Sequence, residues 1–227
     1  MRHRLTIPAV LAGVLAAGCL QKEVTHTLYL SPDGAVRWTV DEAGVYSDEE
    51  DVGKRIAEEQ GFIGPALIGE HTTAQGFRAM GPDGLVRTTV VRDERPFHVI
   101  TETHFFRADR AFERLLKGVG IRGSASLVID GNRGSLRIRF DYSREPEPGQ
   151  EQGGPVVRML EDLDELRFVL TEGKFIAGGG FDVPDRAKAV ISREWIEAAS
   201  KAEDEKRAIE LVLTWQLWEG TAGEPMR

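Results

Sequence analysis

Three side chains that could bind a metal alternate along one predicted strand. Residues 97–106 (FHVITETHFF) alternate in polarity, which predicts a β-strand with His98, Glu102 and His104 on one face. At a rise of about 3.3 Å per residue, Glu102 and His104 would lie about 7 Å apart, close enough to share a metal. A metal-dependent hydrolase using these three residues is therefore one hypothesis. A polar face turned to solvent explains the same pattern, and His98 and His104 would be about 20 Å apart on a flat strand, so we assign no metal ligand.

Other motifs resemble catalytic or cofactor sites only in their letters. Residues 118–123 (GVGIRG) match the glycine spacing of a dinucleotide-binding loop, but that loop follows a strand and opens a helix, and here the predicted order is reversed. The acidic run 161–165 could supply paired carboxylates, although such runs are typical of solvated helix ends. Asp130, Asn132 and Asp141 lack the central glycine of a calcium loop. We predict no catalytic residues and no cofactor.

The most informative reactive side chain is the only cysteine of the chain, Cys19. It follows a basic start (Arg2, His3, Arg4) and a short apolar run, residues 5–17. That run is shorter than the roughly 20 apolar residues that span a bilayer, but it fits the core of a signal peptide. We therefore predict that residues 1–18 are an export signal that is removed.

Residues 15–19 (LAAGC) resemble the lipobox of bacterial lipoproteins, in which small residues precede a cysteine that is diacylated before the signal is cut. The family pattern has leucine three residues before the cysteine, whereas here Leu15 lies four before it and Ala16 takes that place. The resemblance implies a lipid anchor on Cys19 that attaches the protein to a membrane. Leu20, where the family has aspartate to retain a protein at the inner membrane, implies the outer membrane. The alternative is an ordinary cleavage site beside a chance cysteine.

The charge of the mature chain disfavours one class of partner. Without Arg2 and Arg4, 27 basic and 37 acidic side chains remain, a formal charge of −10. Such a surface is repelled by nucleic-acid phosphate and by anionic lipid. We expect no nucleic-acid partner, a membrane association that depends on the lipid, and an envelope protein partner that the sequence does not identify.

Turn motifs predict a sheet built from hairpins. Residues 31–40 (SPDGAVRWTV) recur as residues 81–90 (GPDGLVRTTV) with seven of ten positions identical, and we predict strands on both sides of each copy. The repeat could record a duplicated strand–strand–helix unit or two hairpins that converged on one turn. Residues 127–140 predict a third hairpin, with a turn at residues 130–134.

Three helices and one long loop complete the predicted architecture. The first helix would begin at Ser47, with Glu50 completing a capping box, and end at Gly61. The others would cover residues 109–117 and begin after Ser192, before a last strand at residues 211–218. We predict an α+β fold, mainly antiparallel sheet, with residues 19–24 as a tether, 25–218 as one domain with a flexible loop at 144–154, and 219–227 as a disordered tail.

Segments of the body resemble exported lipoproteins of unknown function. They are TLYLSPDGAVRWTV, SDEEDVGKRIAEEQ and RDERPFHVITETHFF, within residues 22–106. The resemblance implies an envelope protein without an assigned activity, and we predict a structural or binding role. An alternative is a carrier of an apolar ligand whose pocket is lined by tryptophans, although packing in the core also explains them: Trp38, Trp195, Trp215 and Trp218.

Overall fold

Two sheets and five helices form the described part of the chain. A computed structural model describes residues 20–143, 155–160 and 165–218. The strands are β1 (Leu20–Leu30), β2 (Val36–Ser47), β3 (Arg87–Arg92), β4 (Phe97–Phe105), β5 (Arg122–Asp130), β6 (Arg133–Asp141), β7 (Glu165–Leu170), β8 (Lys174–Gly179), β9 (Phe181–Asp185), β10 (Lys188–Ile191) and β11 (Ala208–Gln216). The helices are α1 (Val52–Leu67), α2 (Thr72–Met80), α3 (Ala108–Gly118), α4 (Pro155–Leu160) and α5 (Arg193–Asp204).

The sheets are mainly antiparallel, as predicted. A seven-stranded sheet has the order β3-β4-β2-β1-β7-β10-β9, and a four-stranded sheet has the order β5-β6-β11-β8. β1 and β7 pair in parallel, whereas the other pairs are antiparallel. The α+β class is confirmed, with five described helices where about three were predicted. Strands from before and after α4 contribute to both sheets.

The main core joins both sheets to three helices. Its members come from sheet strands and from α2, α3 and α4. The largest fully buried ones are aromatic: Trp38, Trp215, Phe77, Phe105, Phe112 and Phe168. The Trp38 ring packs edge-on against Phe77 and stacks with Phe112, whose ring stacks in turn on Phe168. Aromatic side chains contribute most of the buried apolar area in such a cluster, so these contacts fix the position of the helices on the sheets.

A second core lies under α1. Its buried members are Val45, Phe62, Ile63, Ala66, Phe97 and Val99, and the partly buried Leu20 and Val90 pack against them. The three α1 members follow helical spacing, whereas the strand members alternate along β2 and β4. This second core holds α1 against the strands near the beginning of β1.

The first repeated motif forms the predicted hairpin. Gly34 has φ +85° at the turn between β1 and β2, a conformation that favours glycine. The amide of Ser31 donates to the carbonyl of Ala35 at 2.8 Å, and the Asp33 carboxylate accepts from the Ala35 amide at 3.1 Å. Pro-Asp-Gly therefore closes this hairpin as the sequence predicts.

The second copy does not form a hairpin: the predicted strand after it is present as β3, but the predicted strand before it is wrong. It joins α2 to β3, so a helix precedes it, and Gly84 is not in the left-handed region. Gly81 ends α2 at φ +62° instead. The amides of Asp83 and Gly84 both donate to the His104 carbonyl at 3.0 Å, which holds the linker against the end of β4. Because the two copies connect different kinds of element, they do not form the same strand–strand–helix unit.

The third hairpin is confirmed. β5 and β6 pair antiparallel with Asp130 opposite Arg133, and Gly131 in the turn has φ +55°. Leu127 and Leu136 lie opposite one another and are buried, as their alternation predicts. Ile129 has the same parity as Leu127 and was predicted to point inward, but it is 40% exposed because it lies beside the turn of the hairpin, opposite Gly134.

Helix boundaries were predicted well in two of three cases. α3 lies within one residue of the predicted span at each end, and the Ser192 hydroxyl caps α5 by accepting from the Trp195 amide at 3.2 Å. The predicted start of α1 at Ser47 is wrong, since β2 continues to that residue and Asp51 caps the helix through the Lys54 amide at 2.9 Å. α1 also runs through Gly61, because its later residues are buried in the second core.

The first strand begins earlier than predicted. Residues 20–24, predicted as a tether, lie in β1, with Leu20 opposite Ser47 and Val24 opposite Glu42. The pairing is irregular between Gln21 and Glu23 but continues to the first described residue. The predicted signal (1–18), the flexible loop (144–154) and the tail (219–227) lie outside the described residues.

Candidate functional site

The first residue that the structure describes, Leu20, directly follows the predicted lipidation site. Cys19 itself lies outside the described residues, as do residues 161–164 of the acidic run. Leu20 is the first described residue, and it is paired with Ser47 at the end of β2. We call this end of the molecule the Leu20 end and define it by Leu20, residues 46–56 and residues 92–96. The start of β1, the end of β2, the start of α1 and the β3–β4 turn meet there.

Hydrogen bonds and an ion pair hold the Leu20 end together. Glu59 in α1 accepts from the Ser47 amide at 3.1 Å and pairs with the Arg95 guanidinium at 3.0 Å. Arg95 also donates to the Ser47 carbonyl at 3.0 Å and lies over the Tyr46 ring. The Ser47 hydroxyl donates to Glu58. Ser47, the partner of Leu20 in the sheet, is therefore held by hydrogen bonds through its amide, its carbonyl and its hydroxyl.

Apolar side chains are exposed at the Leu20 end beside acidic ones. Tyr46 is 38% exposed, Val52 56% and Ile56 54%. The last two lie four residues apart on α1, so they occupy one side of the helix. The four residues before α1 all carry a carboxylate: Asp48, Glu49, Glu50 and Asp51. This end therefore combines an exposed apolar stripe with local negative charge.

The three candidate metal ligands on β4 do not converge. His98, Glu102 and His104 do point to one face of β4, as predicted, opposite to the buried face. His98 pairs with Asp41 through Nε2 at 2.7 Å, whereas His104 lies opposite Arg37 at the other end of the strand. Within the described residues, no group of three or more histidine, cysteine, aspartate or glutamate side chains is placed to hold a metal ion. The three residues instead lie along a polar strand face.

The tryptophans mostly fill the core. Trp38 and Trp215 are fully buried, and the Trp38 indole donates to His26 Nδ1 at 3.1 Å. Trp195 is half-buried, with its ring against Phe140 and its indole nitrogen donating to the Glu210 carbonyl at 2.8 Å. These contacts use the three rings for packing and hydrogen bonding within the fold. Trp218 is the exception, at 45% exposed.

The glycine-rich motif at residues 118–123 lies where the sequence predicts. It links the end of α3 to the start of β5, so a helix precedes it and a strand follows, contrary to a dinucleotide-binding loop. An open cleft of about 520 Å³ lies beside it. Charged side chains of both signs line this cleft: Glu113, Lys117, Arg122, Arg139 and Asp141. Of these, Lys117, Arg122 and Asp141 already have interaction partners.

Two other glycine or acidic patterns also have structural explanations. Asp141 ends β6, whereas Asp130 and Asn132 lie at the turn where β6 begins, so the three cannot surround one calcium ion. The run of glycines at 178–180 makes a tight turn between β8 and β9, with Gly180 at φ +85°. A Cβ at that glycine would collide with the Trp195 ring, which explains why glycine is needed.

A buried polar cluster around Glu42 was not predicted from the sequence. Glu42 is 3% exposed, accepts from the Thr73 hydroxyl at 2.8 Å and pairs with Lys22 at 3.3 Å. His71 Nδ1 lies 3.3 Å from the same carboxylate. Burial lowers the pKa of His71 below its ordinary value; the charge of Glu42 opposes this and that of Lys22 adds to it. Parity could have revealed the cluster, because Glu42 continues the inward series Val36, Trp38 and Val40.

The chain matches no protein-family model, and no curated protein is similar to it. Among solved structures it is similar to the NMR structure of the folded domain of LppM from Mycobacterium tuberculosis, with a TM-score of 0.36 and 10% identity. The alignment covers 93% of this chain and 97% of the other. A likeness at this level establishes neither a family nor a function. No helix within the described residues has both the length and the apolar character to cross a membrane.

Proposed function

We propose that this chain is a lipid-anchored lipoprotein of the bacterial cell envelope, attached to a membrane through Cys19, whose folded domain has a structural or binding role. One observation carries the proposal: a basic start and a 13-residue apolar run end in Leu-Ala-Ala-Gly directly before the only cysteine. A signal peptide ends in this way where a lipoprotein is processed, and no second thiol is available for an internal disulfide.

The described structure supports this junction. β1 includes Leu20, the residue that directly follows the proposed lipidation site, so the lipid would be attached beside a strand of the larger sheet. Two or more acyl chains on Cys19 would supply a stable anchor, whereas a single chain gives only marginal binding. Leu20 rather than aspartate after the cysteine supports the outer membrane as the proposed location.

The use of the polar and aromatic side chains supports a structural or binding role for the domain. His98 is engaged by Asp41, Glu42 is enclosed by Thr73 and Lys22, and Trp38 and Trp215 are in the core. These polar and aromatic side chains, which could otherwise bind a ligand or take part in catalysis, therefore mostly stabilise the fold.

Metabolic labelling with a clickable fatty acid tests the anchor. Wild-type protein should take up the label and remain with the membrane fraction, whereas Cys19→Ser should not be labelled. Ala16→Leu is a matched control, because it places leucine three residues before the cysteine and should be labelled at least as strongly as the wild type. A wild-type protein without label, or one whose intact mass contains no lipid, would show that the proposal is wrong.

A further inference from the structure

We propose that the Leu20 end of the domain rests on the lipid surface when Cys19 is anchored, with Tyr46 and the first turns of α1 facing the bilayer. The inference rests on the proposed lipid anchor and adds an orientation to it. The surface that this end would contact is that of a lipid bilayer.

The proposed anchor at Cys19 and the strand β1 are directly adjacent in the chain, with no linker between them. Consecutive Cα atoms lie about 3.8 Å apart, so the lipidated residue can be only one step away from Leu20. Leu20 is paired with Ser47 and packs against the second core, and Ser47 is held by Glu59 and Arg95. A lipid attached at this point must leave the molecule at the Leu20 end.

The β1–β2 hairpin identifies the end of the molecule that lies opposite the Leu20 end. β1 has 11 residues, and at about 3.3 Å per residue it separates its two ends by about 33 Å. The turn at its far end, around Gly34, contacts the Leu127 side chain on β5. The neighbouring Val128 therefore marks the end of the molecule that would point away from the bilayer.

The exposed side chains at the Leu20 end also suit contact with a bilayer surface. Tyrosine suits the membrane–water interface because its ring is apolar and its hydroxyl polar, and Tyr46 is exposed beside the start of β1. Val52 and Ile56 add an exposed apolar stripe on one side of α1. The four carboxylates at residues 48–51 disfavour an anionic surface. The surface therefore fits a zwitterionic bilayer best.

Site-specific fluorescence quenching tests this orientation. If Cys19 carries lipid, its thiol is blocked, so a cysteine introduced elsewhere is the only one that takes a thiol-reactive dye. Val52→Cys and Val128→Cys form a matched pair, since the two valines are 56% and 61% exposed. The lipidated, dye-labelled proteins would be placed in phosphatidylcholine vesicles that contain a headgroup-spin-labelled lipid. The dye at position 52 should be quenched several-fold more than the dye at position 128.

Two further variants strengthen the test. Ile56→Cys, at a second exposed position of α1, should give the same strong quenching as Val52→Cys even if the latter variant folds poorly. A flexible glycine–serine linker inserted between Cys19 and Leu20 should reduce the quenching at position 52 towards that at position 128, because it restores the slack that the strand removes.

The outcomes separate the orientation from the anchor. A wild-type protein that takes the dye at Cys19, with no lipid in its intact mass, would overturn the anchor and the orientation together. Lipidated protein that is quenched equally at positions 52 and 128, or more strongly at 128, would overturn the orientation and leave the anchor standing.

Discussion

Glu42 is a charged residue on a face of β2 that is otherwise apolar. Its parity matches that of Val36, Trp38 and Val40, so the strand geometry turns its carboxylate into the protein. A buried carboxylate is costly unless it is paired and hydrogen-bonded. Thr73 from α2 and Lys22 from β1 meet this need. One carboxylate thereby ties a helix and two neighbouring strands together.

Replacing Glu42 should therefore be costly. We expect Glu42→Ala to lower the free energy of unfolding by about 2–4 kcal/mol, because the Thr73 hydroxyl and Lys22 lose their acceptor in a buried site. Urea denaturation would measure the change. Glu102→Ala, on the opposite face of the neighbouring strand β4, is the control and should cost about 0.5 kcal/mol or less. Equal losses in the two variants would contradict the structural role of the cluster.

His71 predicts how the stability depends on pH. Burial lowers its pKa in the folded state, whereas in the unfolded chain the imidazole has its ordinary value of 6.5. The unfolded state therefore binds a proton more readily, and acid favours unfolding. The contribution of neutral His71 is fully present above pH 6.5 and is lost progressively as the pH falls below that value towards the lowered pKa.

Urea denaturation about one unit above and one unit below pH 6.5 would measure this effect. We expect wild-type protein to be less stable at the lower pH and His71→Gln to show a smaller loss. His104→Gln, which alters an exposed imidazole, is the matched control and should retain the wild-type pH dependence. A pH dependence that is unchanged in His71→Gln would show that another group is responsible.

At the level of elements, periodicity predicted most strands, and the misses have physical causes. The strand around His98 and the hairpin at residues 122–141 were predicted because they alternate cleanly. α2 was missed because Thr72, Thr73 and Gly76 favour helices weakly. It forms through packing: Phe77 and Met80 are buried, and Gly76 lets α4 approach so closely that a Cβ would lie 2.7 Å from that of Met159. Such a contact between distant segments cannot be read from local sequence.

In the candidate site, too, local features could be predicted from the sequence, whereas contacts between distant residues could not. The reactive residue Cys19 was predicted from a local pattern, and the shared face of His98, Glu102 and His104 from strand parity. The pairing of Leu20 with Ser47 and the contacts of Arg95 with Glu59 depend on residues more than 25 positions apart in the chain. The local sequence therefore predicts Cys19 as the residue to be lipidated, whereas the arrangement of the domain next to Leu20 depends on tertiary contacts.

The continuation of α1 through Gly61 can be tested by one substitution. We expect Gly61→Ala to raise the free energy of unfolding by about 0.5–1 kcal/mol, because alanine favours a helix interior and a Cβ at Gly61 meets nothing within 4 Å. Thermal or urea denaturation would measure it. Gly44→Ala is the control: it also has open space, but its φ of +63° strains any other residue, so it should lower stability by about 1–2 kcal/mol. A destabilised Gly61→Ala would indicate that the helix ends there.

At the scale of the whole molecule, each sheet contains strands from the last part of the described chain, residues 165–218. β7 lies beside β1, and β11 lies beside β6. Phe168 and Trp215 from these strands are buried in the main core with side chains from the first half. We therefore propose that residues 20–218 form one cooperative domain.

Truncation tests this proposal. We expect a fragment of residues 20–143 to lack a cooperative unfolding transition and a near-ultraviolet circular dichroism signal, because β1 and β6 each lose one of their two neighbouring strands and the main core is opened. Residues 20–218, purified in the same way, provide the control and should unfold in a single transition. A fragment that unfolds cooperatively at the same midpoint as the control would show that the first half is a domain by itself.

The parallel pairing of β1 with β7 also determines when the strand beside the proposed anchor can finish folding. Thr171 donates a hydrogen bond to the Leu30 carbonyl across 141 positions of the chain. Contacts between such distant positions form slowly, because a long loop must close first. A chain exported from its amino terminus delivers Cys19 to the membrane well before residues 165–170 have crossed. If the protein is anchored as proposed, attachment therefore precedes completion of the larger sheet, and the domain folds while already tethered to the bilayer.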